Sequence, residues 1–162
     1  MTSYTTIDSP IGELLVVADS AVTRVSILDR PGAAAIEPGW RPDPARFADI
    51  ERQLRAYFAG DLTEFDVAFE TRGTPFQERV WAALDAIPYG TTTTYGRIAA
   101  AIGAPRDRIR AVGAAIGANP LLIVRPCHRV VGANGALTGY AGGVERKQFL
   151  LTHEGALQAQ LV

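Results

Sequence analysis

The chain has 162 residues, of which 48 % are hydrophobic and 20 % charged, and this size and balance predict a globular protein of one or two domains and exclude a mainly disordered chain. No apolar run reaches the roughly 20 residues of a membrane-spanning helix, and the single cysteine excludes a disulfide framework and any multi-cysteine metal site. Residues 1–74 carry a net charge of −5 and residues 75–162 one of +4, which indicates an anionic partner of the second half, such as a nucleic acid, unless the asymmetry arose by chance.

The first half of the chain predicts a small antiparallel sheet accompanied by one helix. Short β-rich runs separated by turn residues are typical of neighbouring strands. Apolar residues that recur every three or four positions before Gly60 predict an amphipathic helix, and a cluster of four prolines ahead of it predicts a loop. The predicted elements are strands at 4–7, 13–18 and 24–28, a loop over 30–44, a helix over 45–59 and a last strand at 65–69.

Past Gly73 the hydrophobic pattern becomes helical, so we predict a domain boundary between residues 73 and 74. Thr74 can cap a helix that has Pro75 in its first position, and Thr94 opens another helix that Gly103 closes. Two short helices joined by a glycine-containing turn resemble a helix-turn-helix. The predicted elements are helices over 75–87, 94–103, 106–117 and 144–153, the last with Phe149 and Leu150 facing the core, and a short buried strand over 121–124.

The only cysteine, Cys127, is followed directly by His128. A lone cysteine often serves as a small buried hydrophobe, but here Pro126 fixes the preceding backbone, and Arg129 and nearby helix ends can lower the thiol pKa from about 8.5. His128 offers a base, although adjacent side chains on a strand point to opposite faces, so a proton relay needs a turn or a bridging water. Glu154 offers an orienting carboxylate, and from spacing alone a Cys127–His128–Glu154 triad and a buried structural cysteine both stay open.

The predicted helix over 106–117 consists mostly of small residues after Arg110. Gly113 and Gly117 each cost about 1 kcal/mol relative to alanine inside a helix. Two explanations stay open: tight packing on a neighbouring helix, or close approach of the backbone to another surface, such as a narrow groove of DNA.

Residues 119–155 contain Asn119-Pro120, Pro126-Cys-His-Arg-Val-Val131, Gly139-Tyr-Ala-Gly-Gly143 and His153-Glu-Gly155. With Tyr89-Gly90, Thr94-Tyr95 and Arg110-Ala-Val-Gly113 upstream, they resemble the O6-alkylguanine-DNA alkyltransferases, or methylated-DNA–protein-cysteine methyltransferases. The resemblance runs over 74–155, and the first half fits the family's smaller domain more loosely. It implies an α+β fold with a ribonuclease H-like N-terminal domain over 1–73, made of a small antiparallel sheet plus helix. The mainly helical domain over 74–162 then carries the winged helix-turn-helix-like motif and the active-site cysteine.

The resemblance also implies an activity, which is the direct reversal of DNA damage by a single-turnover enzyme. Cys127 would irreversibly accept the alkyl group of O6-alkylguanine, with O4-alkylthymine as a second candidate substrate. His128 would act as a base through a water molecule, and Glu154 would orient it. Asn119 would brace the active-site turn, and Tyr95 would help to protonate the leaving guanine. No metal or organic cofactor is implied.

The implied partner is double-stranded DNA containing O6-alkylguanine, bound through the minor groove with the damaged base flipped out. Arg110 would fill the gap that the flipped nucleotide leaves. A face of small residues would lie in the groove: Ala111, Gly113, Ala114 and Gly117. Tyr140 and Ala141 would line the base pocket with Trp81 nearby, although a purely structural role for Trp81 is equally open. The resemblance implies cooperative self-contacts along DNA, and a start without a leader pattern predicts a cytoplasmic protein.

Three features depart from the family pattern. The segment between Gly103 and Arg110 is one residue longer, which makes Arg108 a competitor for the role of Arg110. Arg125 stands at a usually apolar position, and Ala141 stands where some members have serine. The alternatives are a binding module that flags the lesion without an acceptor cysteine, a Cys-His-Glu hydrolase, and a helix-turn-helix regulator whose cysteine senses alkylation.

Overall fold

The computed structural model of this chain describes residues 1–30, 33 and 35–157. The chain divides into two units, Met1–Thr71 and Arg72–Val162. Pro31, which belongs to the predicted loop over 30–44, lies outside the described residues. Among the described residues, no helix combines the length and the apolar character needed to cross a membrane.

The first unit is built on a four-stranded sheet with the strand order β3-β2-β1-β4. Its strands are β1 (Ser3–Ile7), β2 (Leu14–Ala18), β3 (Val22–Ile27) and β4 (Arg41–Pro42). The first three pair antiparallel through short turns, as predicted, and every residue of β2 is buried. A 3-10 turn over Pro44–Phe47 leads into α1 (Ala48–Phe58), which buries Ile50, Leu54 and Tyr57. The sheet and this helix confirm the predicted α+β character of the first half.

Strand β4 lies inside the segment predicted as a loop, and it pairs parallel with β1. The amide of Arg41 donates to the carbonyl of Thr2 at 2.9 Å, and the amide of Asp43 donates to that of Tyr4 at 3.0 Å. Pro42 stands between them and has no amide to offer. A proline is compatible with a strand at the sheet edge, so the proline-rich composition concealed this short strand.

The predicted strand at 65–69 is wrong, because only a single parallel bridge joins Phe69 to Val22. The buried side chain of Gln53 takes the place of a strand partner. Its amide nitrogen donates to the carbonyl of Asp66, and its amide oxygen accepts from the Asp66 backbone, both at 2.8 Å. Since a side chain satisfies these backbone groups, no continuous ladder is needed here.

Within its described residues, 72–157, the second unit contains four α-helices: α2 (Pro75–Asp85), α3 (Tyr95–Ala101), α4 (Ile109–Gly117) and α5 (Val144–His153). Thr74 caps α2 in a reciprocal capping box with Gln77, and the hydroxyl of Thr94 accepts from the backbone of Arg97 at the start of α3. A 3-10 turn over Arg106–Arg108 precedes α4. Helices α2, α3 and α4 pack together, which gives the helix-turn-helix arrangement that the sequence predicts.

A two-stranded parallel ladder brings the entry of α3 to the segment that follows the cysteine. It joins β5 (Thr93–Thr94) to β6 (Val130–Val131). The expectation that Phe149 faces the core is wrong, because its side chain is 40 % exposed and stacks on His153, whereas Leu150 is fully buried.

The predicted strand over 121–124 is also wrong, although its residues are buried as expected, apart from the partly buried Val124. Ile123 has a φ of +71°, a conformation that β-branched residues rarely adopt. The amide of Val124 donates to the carbonyl of Leu122 at 2.8 Å, which closes a γ-turn, and the amide of Arg125 donates to that of Leu121 at 2.9 Å. The segment therefore folds back on itself. Such a backbone costs on the order of 1–3 kcal/mol, and it aims the following residues toward the site.

Candidate active site

Cys127 lies on a tight turn next to the hydrogen-bonding side chain of Asn119. Residues Cys127–Arg129 form one 3-10 turn, so the adjacent Cys127 and His128 are not held on opposite faces of a strand. Asn119 braces this region, since its amide nitrogen donates to the carbonyl of Arg125 at 3.1 Å and its oxygen accepts from the amide of Leu121 at 3.0 Å. The bracing role that the resemblance implies for Asn119 in catalysis stays a prediction, and these bonds are its structural basis.

The thiol borders a cavity of about 160 Å³ between α4 and the loop before α5. The cavity is lined by Tyr95, Gly113, Ile116, Gly117, Cys127, Gly139, Tyr140 and Ala141. Six of these residues are predicted site residues, whereas Ile116 and Gly139 were not identified from the sequence. Both a DNA-facing helix and a base pocket were inferred from the family resemblance, and the structure brings residues of the two groups to one cavity.

The helical glycines of α4 are not explained by tight packing on another helix. Among the described residues, a Cβ atom added at Gly117 would meet nothing within 4 Å, and one added at Gly113 would meet only Cδ1 of Tyr95 at 4.0 Å. Because the protein itself leaves this space open, close approach of an outside surface is the better explanation for the two residues.

Behind the thiol, His128 and Glu154 form a buried pair. Nε2 of His128 lies 2.8 Å from Oε2 of Glu154, and both side chains are fully buried. Arg129 binds the same carboxylate from the other side, with Nε 2.7 Å from Oε1 and Nη2 3.0 Å from Oε2. A carboxylate that accepts two bonds from one guanidinium is held in a fixed orientation. The sequence predicted the His128–Glu154 contact, but it assigned Arg129 to the thiol rather than to Glu154.

The contacts of His128 fix the role of each ring nitrogen. Because an ionised carboxylate only accepts hydrogen bonds, Nε2 carries the proton that Glu154 accepts. Burial lowers the pKa of His128 below its ordinary value, although the hydrogen bond and the charge of Glu154 oppose this shift. The ring is therefore neutral near pH 7, and Nδ1, which is buried and has no hydrogen-bond partner among the described residues, retains a lone pair that can accept a proton.

Burial raises the pKa of the Cys127 thiol, and three neighbours partly offset this effect. They are the side-chain amide of Asn119, the ammonium of Lys147 and the guanidinium of Arg125. The thiol is therefore protonated at neutral pH, and it needs a base to become nucleophilic. Arg129, which the sequence suggested for this role, binds Glu154 instead.

Lys147 is a site residue that sequence reasoning missed. Its side chain is fully buried, and Nζ donates to the carbonyls of Thr138 at 2.8 Å and Gly139 at 3.1 Å. Burial lowers the pKa of Lys147 to about 8. A signal was present, because Lys147 precedes Leu150 and Leu151 by three and four positions and therefore shares their buried helix face.

Tyr95 and Lys147 meet at one carbonyl. The hydroxyl of Tyr95 donates to the carbonyl of Thr138 at 2.9 Å, and the Lys147 ammonium lies 5.9 Å from the centre of the Tyr95 ring. The loop at 138–139 thus holds the phenol at the cavity wall, with a buried positive charge next to it.

The remaining predicted residues lie outside the cavity wall. Trp81 is buried, and its indole nitrogen donates to the carbonyl of Ala115 in α4 at 2.9 Å. It is not among the residues that line the cavity. Arg110 and Ala114 are exposed on α4, Ala111 is partly exposed, and Arg108 is exposed just before the helix.

Both halves of the chain match models of one protein family. Residues 2–71 match the 6-O-methylguanine DNA methyltransferase, ribonuclease-like domain. Residues 75–156 match the 6-O-methylguanine DNA methyltransferase, DNA binding domain. The two matches together span nearly the whole chain.

Individual proteins give the same result. The chain is similar to a methylated-DNA--protein-cysteine methyltransferase of Mycobacterium tuberculosis, with 53 % identity over 158 residues that cover 95 % of this chain and 93 % of that protein. It is 47 % identical over 154 residues to one from Methanosarcina acetivorans, covering 94 % and 98 %. A crystal structure of the Mycobacterium tuberculosis OGT in complex with DNA superposes with a TM-score of 0.86 at 52 % identity, covering 95 % of this chain and 93 % of that one.

Proposed function

The chain belongs to the 6-O-methylguanine DNA methyltransferase family, and from this premise we propose that it repairs DNA by moving the alkyl group of O6-alkylguanine onto Cys127. The observation that carries the proposal is the position of the thiol. Cys127 borders a cavity walled by the open glycine positions of α4, and it adjoins the buried His128–Glu154 pair. A nucleophile, a base and space for a ligand thus occur together.

The reaction is an in-line displacement at the alkyl carbon. The sulfur–carbon bond forms while the carbon–O6 bond breaks, and the electron pair of that bond stays on guanine. The thiol proton passes through a water molecule to Nδ1 of His128, whose imidazolium form Glu154 then stabilises. The hydroxyl of Tyr95 gives a proton to the leaving guanine and regains one from solvent. Such donors, placed where negative charge develops, lower the barrier.

The product explains why each chain acts once. Transfer leaves a thioether on Cys127, and neither a base nor a carboxylate of this site can hydrolyse a carbon–sulfur bond of that kind. The enzyme is therefore consumed in stoichiometric amounts.

The target carbon is not accessible inside a stacked duplex, so the nucleotide has to be flipped out at a cost of a few kcal/mol. We assign the small face of α4, formed by Ala111, Gly113, Ala114 and Gly117, to the minor groove. Arg110 fills the gap in the base stack, and Tyr140 and Ala141 line the pocket for the flipped base. Exposed Arg108, one residue before α4, is the competitor for the role of Arg110.

The assignment of alkyl transfer to Cys127 also leads to proposals for the two domains, for contacts between copies of the chain and for cellular location. Residues 74–162 are assigned to the alkyltransferase domain, and residues 1–73 to the ribonuclease H-like domain. Cooperative contacts between copies of the chain along DNA belong to this proposal. So does a cytoplasmic location, because a free thiol persists in a reducing compartment.

Mass spectrometry after mixing the protein with a duplex that contains one O6-methylguanine tests the proposal. We expect one added methyl group on the peptide that contains Cys127, saturating at one per chain. Cys127→Ser is the matched control, and it should lose transfer while keeping DNA binding.

Lesion-selective binding without an adduct would replace the proposal with a module that only flags damage. Many turnovers on an acyl substrate would instead identify a cysteine hydrolase, and a methyl group on another residue would contradict Cys127 as the acceptor.

A further inference from the structure

Arg125 is a buried arginine two residues before the acceptor cysteine. Its side chain is nearly fully buried, and its Nε lies 3.2 Å from Oδ1 of Asp85. The centre of its guanidinium lies 5.1 Å from the centre of the Trp81 ring, a distance at which a cation is attracted to an aromatic face. Burial of a guanidinium is costly unless charge and hydrogen-bonding partners compensate it, so its position calls for an explanation.

The backbone of Arg125 is the anchor of the cysteine turn. Its carbonyl accepts from the amide of Cys127 at 2.8 Å and from the side chain of Asn119 at 3.1 Å. A shift of Arg125 would therefore move the amide of the nucleophile and the bracing asparagine together.

The side chain of Arg125 connects this turn to two helices. Asp85 is the last residue of α2, and Trp81, one turn earlier, donates to the carbonyl of Ala115 in α4. An acidic residue at a helix C-terminus opposes the helix dipole, so Asp85 is unfavourable there unless a cation such as Arg125 compensates it. The contacts run from α4 through Trp81 and Arg125 to the turn of Cys127.

We propose that the Asp85–Arg125 ion pair, seated on Trp81, positions the cysteine turn against α4 and contributes to the local charge at the Cys127 thiol. Arg125 and Asp85 act through the turn and touch no substrate, so they are positioning residues. For its role in repair the assignment rests on the proposed function, but its main measurement needs no DNA.

The charge effect has a definite sign. The guanidinium of Arg125 favours the thiolate of Cys127, and the carboxylate of Asp85 weakens that influence because it carries the opposite charge. Lys147 from α5 also favours the thiolate. Among the described residues, the other titratable groups near the thiol are His128 and Arg129 on its own turn, Glu154 bound to both, Tyr95 from α3 and Tyr140 from the loop before α5. These residues and Lys147 stay unchanged in the variants below.

The test measures how fast iodoacetamide alkylates the thiol as a function of pH, with intact mass spectrometry as the readout. Because the chain has one cysteine, the alkylation readout follows Cys127 alone, and the shift of its pH midpoint between variants isolates the substituted group. We expect Arg125→Met to raise the midpoint by about half a pH unit and Asp85→Asn to lower it by a similar amount. Arg125→Lys retains the charge and should restore the midpoint. Asp61→Asn, which removes an exposed carboxylate from the other unit, is the control.

Opposite shifts support the pair as a charge-setting device, because a merely structural contact would not move the midpoint in opposite directions. Equal midpoints, or shifts in one direction, overturn the proposal. If Arg125→Met does not fold, the comparison of Asp85→Asn with Asp61→Asn decides: a lower midpoint supports the proposal, and an equal or higher one overturns it. Opposite shifts in a protein that takes no methyl group from DNA would contradict the proposed function alone.

Discussion

The buried ammonium of Lys147 determines part of the pH response of the second unit. Its pKa is about 8 in the folded protein, compared with 10.5 for an ordinary lysine, because burial disfavours the charged form. Between these two pH values the unfolded chain binds more protons than the folded one. The contribution of Lys147 to stability therefore rises as the pH increases from about 8 to 10.5, and it is lost as the pH falls through 8.

Lys147 is the only lysine in the sequence, so protein labelled with ¹³C-lysine gives a single signal to titrate by NMR. We expect a midpoint near pH 8 in the folded protein and an ordinary midpoint in denaturant. A folded midpoint near that of an exposed lysine would contradict the buried position of Nζ.

Single residues differ in how far the sequence predicts them. Cys127, His128 and Glu154 could be proposed because each carries chemistry that stands out in the sequence and in a family motif. The ion pair of Arg129 with Glu154 could not be predicted from the sequence. It depends on the position in the folded protein of the C-terminal end of α5, which carries Glu154. Lys147 was missed because a lysine on a helix is ordinarily solvent-exposed.

At the scale of elements, the glycines of α4 lower the stability of the helix but leave its outer face open to DNA. Gly113 lies inside the helix with an ordinary φ and with room for a methyl group. We expect Gly113→Ala to raise the free energy of unfolding by about 1 kcal/mol. The same methyl group would stand on the face assigned to the minor groove. Transfer from duplex DNA should then slow about tenfold, which corresponds to roughly 1.4 kcal/mol in the barrier.

Urea unfolding measures the change in stability. Single-turnover transfer, from duplex DNA and from the free modified base, measures the change in access to the lesion in DNA. Gly96→Ala is the matched control, since an added Cβ at this glycine of α3 would meet only Oγ1 of Thr94, at 3.9 Å. It should stabilise the protein without slowing transfer. If Gly113→Ala changes the transfer rate by the same factor with both substrates, or lowers the free energy of unfolding, the open face of α4 has another purpose.

The helices were easier to predict than the short strands. Caps at Thr74 and Thr94 and the spacing of apolar residues are local signals, and the structure confirms the helices that they predict. Strands depend on partners that are distant in sequence. The prediction at 65–69 failed because Gln53 satisfies the backbone of that segment, and the prediction at 121–124 failed because Asn119 and a γ-turn do so there.

For the whole molecule, the division of charge predicts a salt dependence. The net charge of +4 in residues 75–162 includes exposed arginines in α3, in the 3-10 turn before α4 and in α4 itself. They are Arg97, Arg106, Arg108 and Arg110. Each cation that neutralises a phosphate releases a counterion, so the logarithm of the DNA affinity should fall linearly with the logarithm of salt concentration. Arg106→Gln should make this slope less negative by about 1.

Fluorescence anisotropy with an undamaged duplex over a salt series measures the slope. Arg52→Gln is the control, because Arg52 lies in the acidic first unit, where it already pairs with Asp49. It should leave the slope unchanged. A slope near zero for the unmodified protein would remove phosphate contacts as the source of binding.

The contact between Arg129 and Glu154 closes a ring of chain, since 25 positions separate the two residues. Lys147 and the pocket residues Tyr140 and Ala141 all belong to this ring. We expect that opening the ring at Glu154 releases His128, the pocket wall and the buried ammonium in one event, so that these parts unfold locally as one cooperative unit. Amide hydrogen exchange in α5 would therefore report whether the site is assembled, even though the residues that line the cavity all lie outside that helix.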